Sequence, residues 1–264
     1  LRKLAVLAGG AAAASSLMFL LENNYAKAAM VPENDSRIMI ERIKYPGSGG
    51  QMQAYLSRPK GDGKWPAVVV VHENRGLNPH IEDVARRIAV EGFLAVAPDA
   101  LSSSGGTPKD SDNARDLIGK LDGKTTQENF LAAVDYLKTH TLSTGKVGVV
   151  GFCWGGAMAN QLAVNSPDLT AAVPYYGRQP DAQDVPKIKG SLLLHYGGKD
   201  ERINKGIPAY EAALKAAGTD YKLYVYEGAD HAFNNDTNAA RYHKEAAPLA
   251  WKRTIEFLNA KLKK

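Results

Sequence analysis

At 264 residues the chain can hold one large domain or two small ones, and 44% hydrophobic with 23% charged residues is ordinary for a folded globular protein. The net charge of +5 is spread thinly: no run of Lys and Arg exceeds two, which argues against a nucleic-acid partner. A single cysteine, Cys153, excludes an intrachain disulfide and any cysteine-rich metal site.

The chain opens on Leu1-Arg2-Lys3, a short basic start. Residues 4–21 are apolar and rich in alanine, and Ala26-Lys27-Ala28 offers small residues at the spacing a signal peptidase requires. This pattern predicts a signal-like segment over 1–28 and an exported, periplasmic protein. The alternative is an amphipathic helix packed on the body, which would leave the protein in the cytoplasm. Gly9-Gly10 and Ser15-Ser16 interrupt the apolar run, so a stable membrane span is not expected. Nothing in 29–264 looks like a linker, which predicts a single domain there.

Residues 38–45 and 52–57 read as strands joined by the turn Pro46-Gly47-Ser48-Gly49-Gly50, an antiparallel hairpin. Ala67-Val68-Val69-Val70-Val71-His72 is a continuous apolar run closed by a polar residue, as expected of a strand buried on both faces. Residues 78–91 carry Ile81, Val84, Ala85, Ile88 and Ala89 at helical spacing. Residues 93–97 read as the next buried strand, 102–106 as a loop, and 126–140 as a helix. Further strands are expected over 146–150, 169–176, 191–196 and 221–226, and helices over 157–163, 209–217 and 248–263. Buried strands alternating with helices predict an α/β fold, a doubly wound, mostly parallel sheet with an antiparallel N-terminal edge hairpin.

Between the strand over 146–150 and its following helix stands Gly151-Phe152-Cys153-Trp154-Gly155-Gly156. Gly-x-Cys-x-Gly has the spacing of a nucleophile elbow, a turn so tight that small residues are needed two places either side of the nucleophile. The helix amino terminus just beyond it favours a thiolate. Such a nucleophile needs a base, and the base an orienting acid. Gly197-Gly198-Lys199-Asp200 and Gly228-Ala229-Asp230-His231 each follow a strand, in the order acid then histidine, and ligands of such sheets gather at carboxyl strand ends. Cys153, Asp200 and His231 are therefore the candidate nucleophile, acid and base. His195 lies inside a strand and reads as a core histidine, while Asp230 adjoins His231 and cannot easily face its ring.

The loop His72-Glu73-Asn74-Arg75-Gly76-Leu77-Asn78 stands where this topology supplies one oxyanion donor. The backbone N–H groups of Asn74 and Trp154 are the candidates, and Glu73 is expected to point into the pocket beside Cys153. No HExxH spacing or third ligand accompanies His72-Glu73, so neither a metal nor another cofactor is expected.

Together these residues resemble the dienelactone hydrolase family of the α/β-hydrolase fold, over about residues 52–262. The resemblance rests on the cysteine elbow, Glu73, Pro98-Asp99, Tyr175-Tyr176-Gly177, Gly197-Gly198-Lys199-Asp200 and Asp230-His231-Ala232-Phe233. It implies a cysteine hydrolase of a small-molecule ester or lactone, with Tyr176 beside the substrate. It also implies that Glu73 helps hold the resting thiol neutral and accepts its proton when substrate enters. Cys153 then attacks the carbonyl, the Asn74 and Trp154 N–H groups hold the oxyanion, and His231, oriented by Asp200, serves the leaving group and the water.

The chain departs from the family near Ser103 and near Asn235, where enzymes built for dienelactone carry arginines that grip the substrate carboxylate. Arg75 stands where those enzymes have an apolar residue. The departures predict a substrate other than dienelactone, with Arg75 either binding an acidic substrate or pairing with Glu73. Two rival readings use the same fold: a general short-chain carboxylesterase, and a non-catalytic small-molecule binding protein, against which the intact set Cys153, Asp200 and His231 argues. A thiol-redox protein is a third, and the lack of a second cysteine argues against it. A homo-oligomer stays open.

Overall fold

The computed structural model describes residues 29–264. The expected signal-like segment, residues 1–28, lies outside the described residues. Strands β1 (Ile38–Gly47) and β2 (Gly50–Pro59) form a hairpin, with Ile38 opposite Pro59 and Gly47 opposite Gly50. After them come β3 (Trp65–Val71), α1 (Pro79–Val90), β4 (Leu94–Pro98), α2 (Ser111–Ile118), α3 (Gly123–Thr139), β5 (Ser143–Phe152) and α4 (Trp154–Asn165). The chain then continues through β6 (Ala171–Tyr175), β7 (Ser191–Gly197), α5 (Glu201–Asn204), α6 (Ile207–Ala217), β8 (Tyr221–Tyr226) and α7 (Ala246–Leu262). The strands form one sheet in the order β1-β2-β4-β3-β5-β6-β7-β8. Only the β1–β2 and β2–β4 pairs are antiparallel. The mostly parallel sheet with its antiparallel edge hairpin is the architecture that the sequence predicts.

Side chains along a strand alternate between faces, and the central strands bury both. Val69 and Val71 of β3 pack into one core with Phe130, Val134 and Leu137 of α3 and Leu162 of α4. Val68 and Val70 pack into the other with Ile81, Val84 and Ile88 of α1 and Leu258 and Leu262 of α7. All four valines are fully buried, at roughly 1.5–3 kcal/mol each. This two-sided burial explains why the strand reads as an unbroken apolar run.

Several boundaries differ from the sequence reading. Pro46 and Gly47 belong to β1, leaving only Ser48 and Gly49 to turn. Asn78 is the cap of α1 and not its first turn: its side chain accepts the Ile81 N–H at 3.2 Å. Helices α2 and α5 are additional. The first buries only Ala114 and Ile118 and the second only Ile203, too few anchors for a periodic signal. No helix among the described residues is long and apolar enough to cross a membrane.

Candidate active site

Cys153 stands between β5 and α4 with φ 55°, a left-handed conformation, and its N–H donates to the Tyr175 carbonyl at 3.1 Å. The tightness expected of the turn is measurable. A Cβ on Gly151 would lie 2.0 Å from the Gly155 carbonyl oxygen, and one on Gly155 would lie 2.4 Å from the carbonyl oxygens of Val71 and His72. Both contacts are with backbone, so only glycine lets α4 start this close to β3. The thiol is thereby held at the amino end of α4.

The loops after β7 and β8 lean on each other. Gly198 N–H donates to the Tyr226 carbonyl at 2.7 Å and Lys199 N–H to Ala229 at 2.9 Å. That contact brings Asp200 beside His231. The Asp200 carboxylate accepts a short hydrogen bond from His231 Nδ1, and His231 Nε2 lies 3.0 Å from Cys153 Sγ. Burial works against charge on His231, yet its hydrogen bonds to Asp200 and Cys153 outweigh burial and push its pKa up to about 9. Burial would likewise raise Asp200. Its bond to His231, the charge on that ring, the Ile203 N–H and nearby Arg202 together leave it below its ordinary value.

Glu73, 6% exposed, accepts from Asn235 Nδ2 at 2.7 Å, and the Tyr176 hydroxyl lies 3.4 Å from its second oxygen. The Tyr176 ring packs edge-on to His231, with centroids 5.1 Å apart. Burial and the neighbouring charges of Glu73 and Cys153 keep the Tyr176 hydroxyl protonated well above its usual range. Among the described residues, the N–H groups of Asn74 and Trp154 donate to no protein acceptor. The Trp154 ring stacks on His72 with centroids 5.2 Å apart.

His72 holds this loop from below, a role the sequence reading missed. Its Nε2 accepts the Ala100 N–H at 3.2 Å, which leaves the proton on Nδ1 to donate to the Glu73 carbonyl at 2.6 Å. Burial keeps the ring neutral by lowering its pKa. His195 is the satisfied core histidine expected, bonded to Tyr226 and Thr254, with burial taking its pKa down to about 3.

Glu73, Asn74, Arg75, Cys153 and His231 line one cavity of about 700 Å³. Of the two alternatives for Arg75, the structure corrects one, the pairing with Glu73. Arg75 donates instead to Ser111 Oγ at 2.9 Å and Asp112 Oδ1 at 2.8 Å, tying α2 to the β3–α1 loop. No three His, Cys, Asp or Glu among the described residues gather as a metal centre would require.

The dienelactone hydrolase family profile matches residues 52–262. The chain is 35% identical over 228 residues to a Yersinia pestis protein provisionally named a carboxymethylenebutenolidase, covering 80% of this chain and 85% of that one. A Saccharolobus solfataricus protein of the same provisional name is 33% identical over 258 residues, covering 83% of this chain and 98% of its own. A crystal structure of a provisionally named dienelactone hydrolase from Klebsiella pneumoniae superposes with a TM-score of 0.75 at 30% identity, covering 86% of this chain and 99% of that one. The chain belongs to the dienelactone hydrolase family. It is therefore an ester and lactone hydrolase on an α/β-hydrolase fold.

The carboxylate–thiol contact implied by the resemblance is missing: Sγ faces His231, while Glu73 is held by Asn235 and Tyr176. Asn235, near one of the two places where the substrate-gripping arginines are absent, donates to Glu73. Ser103, near the other, lines a separate depression. Three further cations, Lys109, Arg202 and Arg241, line the cavity and make no salt bridge among the described residues.

Proposed function

We propose that the hydrolase cleaves a small ester or lactone carrying an acidic group, with Cys153 as nucleophile, His231 as base and then acid, and Asp200 as the orienting carboxylate. The observation that carries the reading is the line Asp200–His231–Cys153, with Nε2 3.0 Å from Sγ. Sγ attacks the carbonyl carbon, and the charge that develops on its oxygen meets the free N–H groups of Asn74 and Trp154. The imidazolium of His231 gives its proton to the leaving oxygen as the C–O bond breaks, and a thioester remains on Cys153; His231 then takes a proton from the attacking water, the C–S bond breaks, the acid leaves and sulfur recovers the proton. Cations support the acidic preference: Lys109, Arg202 and Arg241 line the cavity and make no salt bridge among the described residues, while Arg75 is paired with Asp112. Among the residues lining the cavity, apart from Cys153 itself, only Ala232 is apolar, which favours an acidic substrate over the neutral esters of a general short-chain carboxylesterase.

The test is Cys153→Ala. Hydrolysis should vanish while the thermal midpoint stays within a few degrees, because a strained turn at a cavity is not a packing site. Retained hydrolysis would overturn the assignment. Export belongs to the same proposal and rests on the basic start, the apolar run and Ala26-Lys27-Ala28. Fractionation of cells expressing the full reading frame should recover the protein outside the cytoplasm; cytoplasmic protein still carrying residues 1–28 would refute it.

A further inference from the structure

His72 follows the buried valines of β3 and is itself fully buried. Its ring lies 10° from parallel to that of Trp154, and Phe130 of α3 packs edge-on to it with centroids 6.2 Å apart. Both ring nitrogens meet backbone groups of fixed polarity. The Ala100 N–H can only donate and the Glu73 carbonyl can only accept, so Nε2 is bare and Nδ1 carries the proton. One rigid ring thus ties the loop after β3 to the loop after β4. The Glu73 carbonyl belongs to the same peptide unit as the Asn74 N–H. That unit is planar and, like every peptide among the described residues, not cis, so its C=O and N–H point in opposite directions. Whatever fixes the carbonyl therefore aims the N–H. Two donors fix it, His72 Nδ1 at 2.6 Å and the Gly76 N–H at 3.3 Å. The other free N–H, that of Trp154, belongs to the residue on whose ring His72 stacks. Backbone contact joins them too, since an added Cβ on Gly155 would meet the His72 carbonyl oxygen. His72 itself is no part of the cavity wall.

We propose that His72 is a positioning residue that aims both oxyanion donors, the Asn74 N–H through the Glu73 carbonyl and the Trp154 N–H through the ring stack, without touching substrate. This rests on the reading of Cys153 as nucleophile and adds how the charge created by its attack is met. In that attack Sγ bonds to the carbonyl carbon, the π pair moves onto oxygen, and the two N–H groups receive it. Preorganised donors act only where such charge develops. A displacement at saturated carbon develops none on an oxygen, so it should be indifferent to His72.

The test compares two reactions of the same sulfur, each read by intact mass; the chain holds one cysteine, so a single addition is unambiguous. para-Nitrophenyl acetate acylates Sγ through an oxyanion and releases para-nitrophenolate. Iodoacetamide alkylates it as the C–I bond breaks, with iodide and the thiol proton leaving to solvent. His72→Gln offers an amide oxygen to the Ala100 N–H and removes the donor at Nδ1. It should slow acylation by about 10²-fold and leave alkylation within about threefold of the parent. His72→Asn puts an amide NH2 where Nδ1 stood and should acylate about tenfold faster than His72→Gln. A residue of merely structural weight would change both reactions together. A parallel loss of acylation and alkylation in His72→Gln would overturn the proposal. So would an unchanged acylation rate, or a His72→Asn no faster than His72→Gln. Should the variants not fold, the parent decides. In its crystal structure with succinic semialdehyde, to whose aldehyde carbon Sγ adds as a thiohemiacetal, the adduct oxygen should lie about 2.7–3.1 Å from the nitrogens of Asn74 and Trp154. An oxygen turned away from Asn74 would overturn the proposal. Hydrolysis retained by Cys153→Ala would overturn this and the nucleophile reading together, whereas failure of the His72 comparison leaves the nucleophile standing.

Discussion

Among the described residues, three non-glycine residues hold positive φ: Cys153 at 55°, Tyr176 at 39° and Ala232 at 65°. Each such conformation costs on the order of 1–3 kcal/mol and persists only where the surroundings over-determine it. All three surround the same few atoms. Cys153 raises its Sγ, Tyr176 sets its ring on His231, and Ala232 directs the turn just after that histidine. At this scale Asp200 has the clearest task, since its bond fixes the His231 proton on Nδ1 and leaves Nε2 for sulfur. Asp200→Asn keeps the shape and can favour the wrong tautomer. It should lower kcat by about 10² to 10⁴-fold with little change in KM. Steady-state kinetics on any cleaved ester checks this, and a near-parental kcat would remove Asp200 from the mechanism.

The elbow is the element on which the site depends, and its glycines were legible because their spacing states a steric fact. Gly155→Ala should push α4 away from β3, since its new Cβ would meet two backbone oxygens at 2.4 Å. Overpacking of this kind costs about 1–3 kcal/mol, on the order of 2–12 °C in melting temperature for a chain of this size. Gly123, which opens α3 with nothing within 4 Å of an added Cβ, is the control and should accept alanine without loss. Calorimetry on the two variants separates them; equal melting temperatures would contradict the steric account. Asp200 and His231 were legible for a related reason, because apolar strands announce where their carboxyl-end loops begin. The partners of Arg75 were not, since α2 has too few buried positions to signal a helix and Asp112 reaches the cavity only through it. Nor was the hold of Asn235 on Glu73, a contact between residues 162 positions apart in sequence that no periodicity encodes.

Across the whole molecule, the two cores fix the sheet and the carboxyl ends of its strands carry the chemistry. The net charge of +5 is modest and dispersed, yet three cations that make no salt bridge among the described residues line the cavity. An acidic ester should feel them and a neutral one should not. Raising the salt from about 0.01 M to about 1 M shortens the screening length from ~30 Å to ~3 Å. Over that range kcat/KM for an acidic ester should fall by about tenfold, while a matched neutral ester changes little. The double variant Arg202→Ala, Arg241→Ala should reduce this salt dependence, and equal salt responses for the two esters would contradict the acidic preference. The central claim remains that an acyl group passes through the one cysteine. Mass spectrometry of enzyme quenched during turnover of a slowly deacylating ester tests it most directly. The account predicts a mass increase of one acyl group, located on the peptide that carries Cys153; the same increase on any other residue would contradict it.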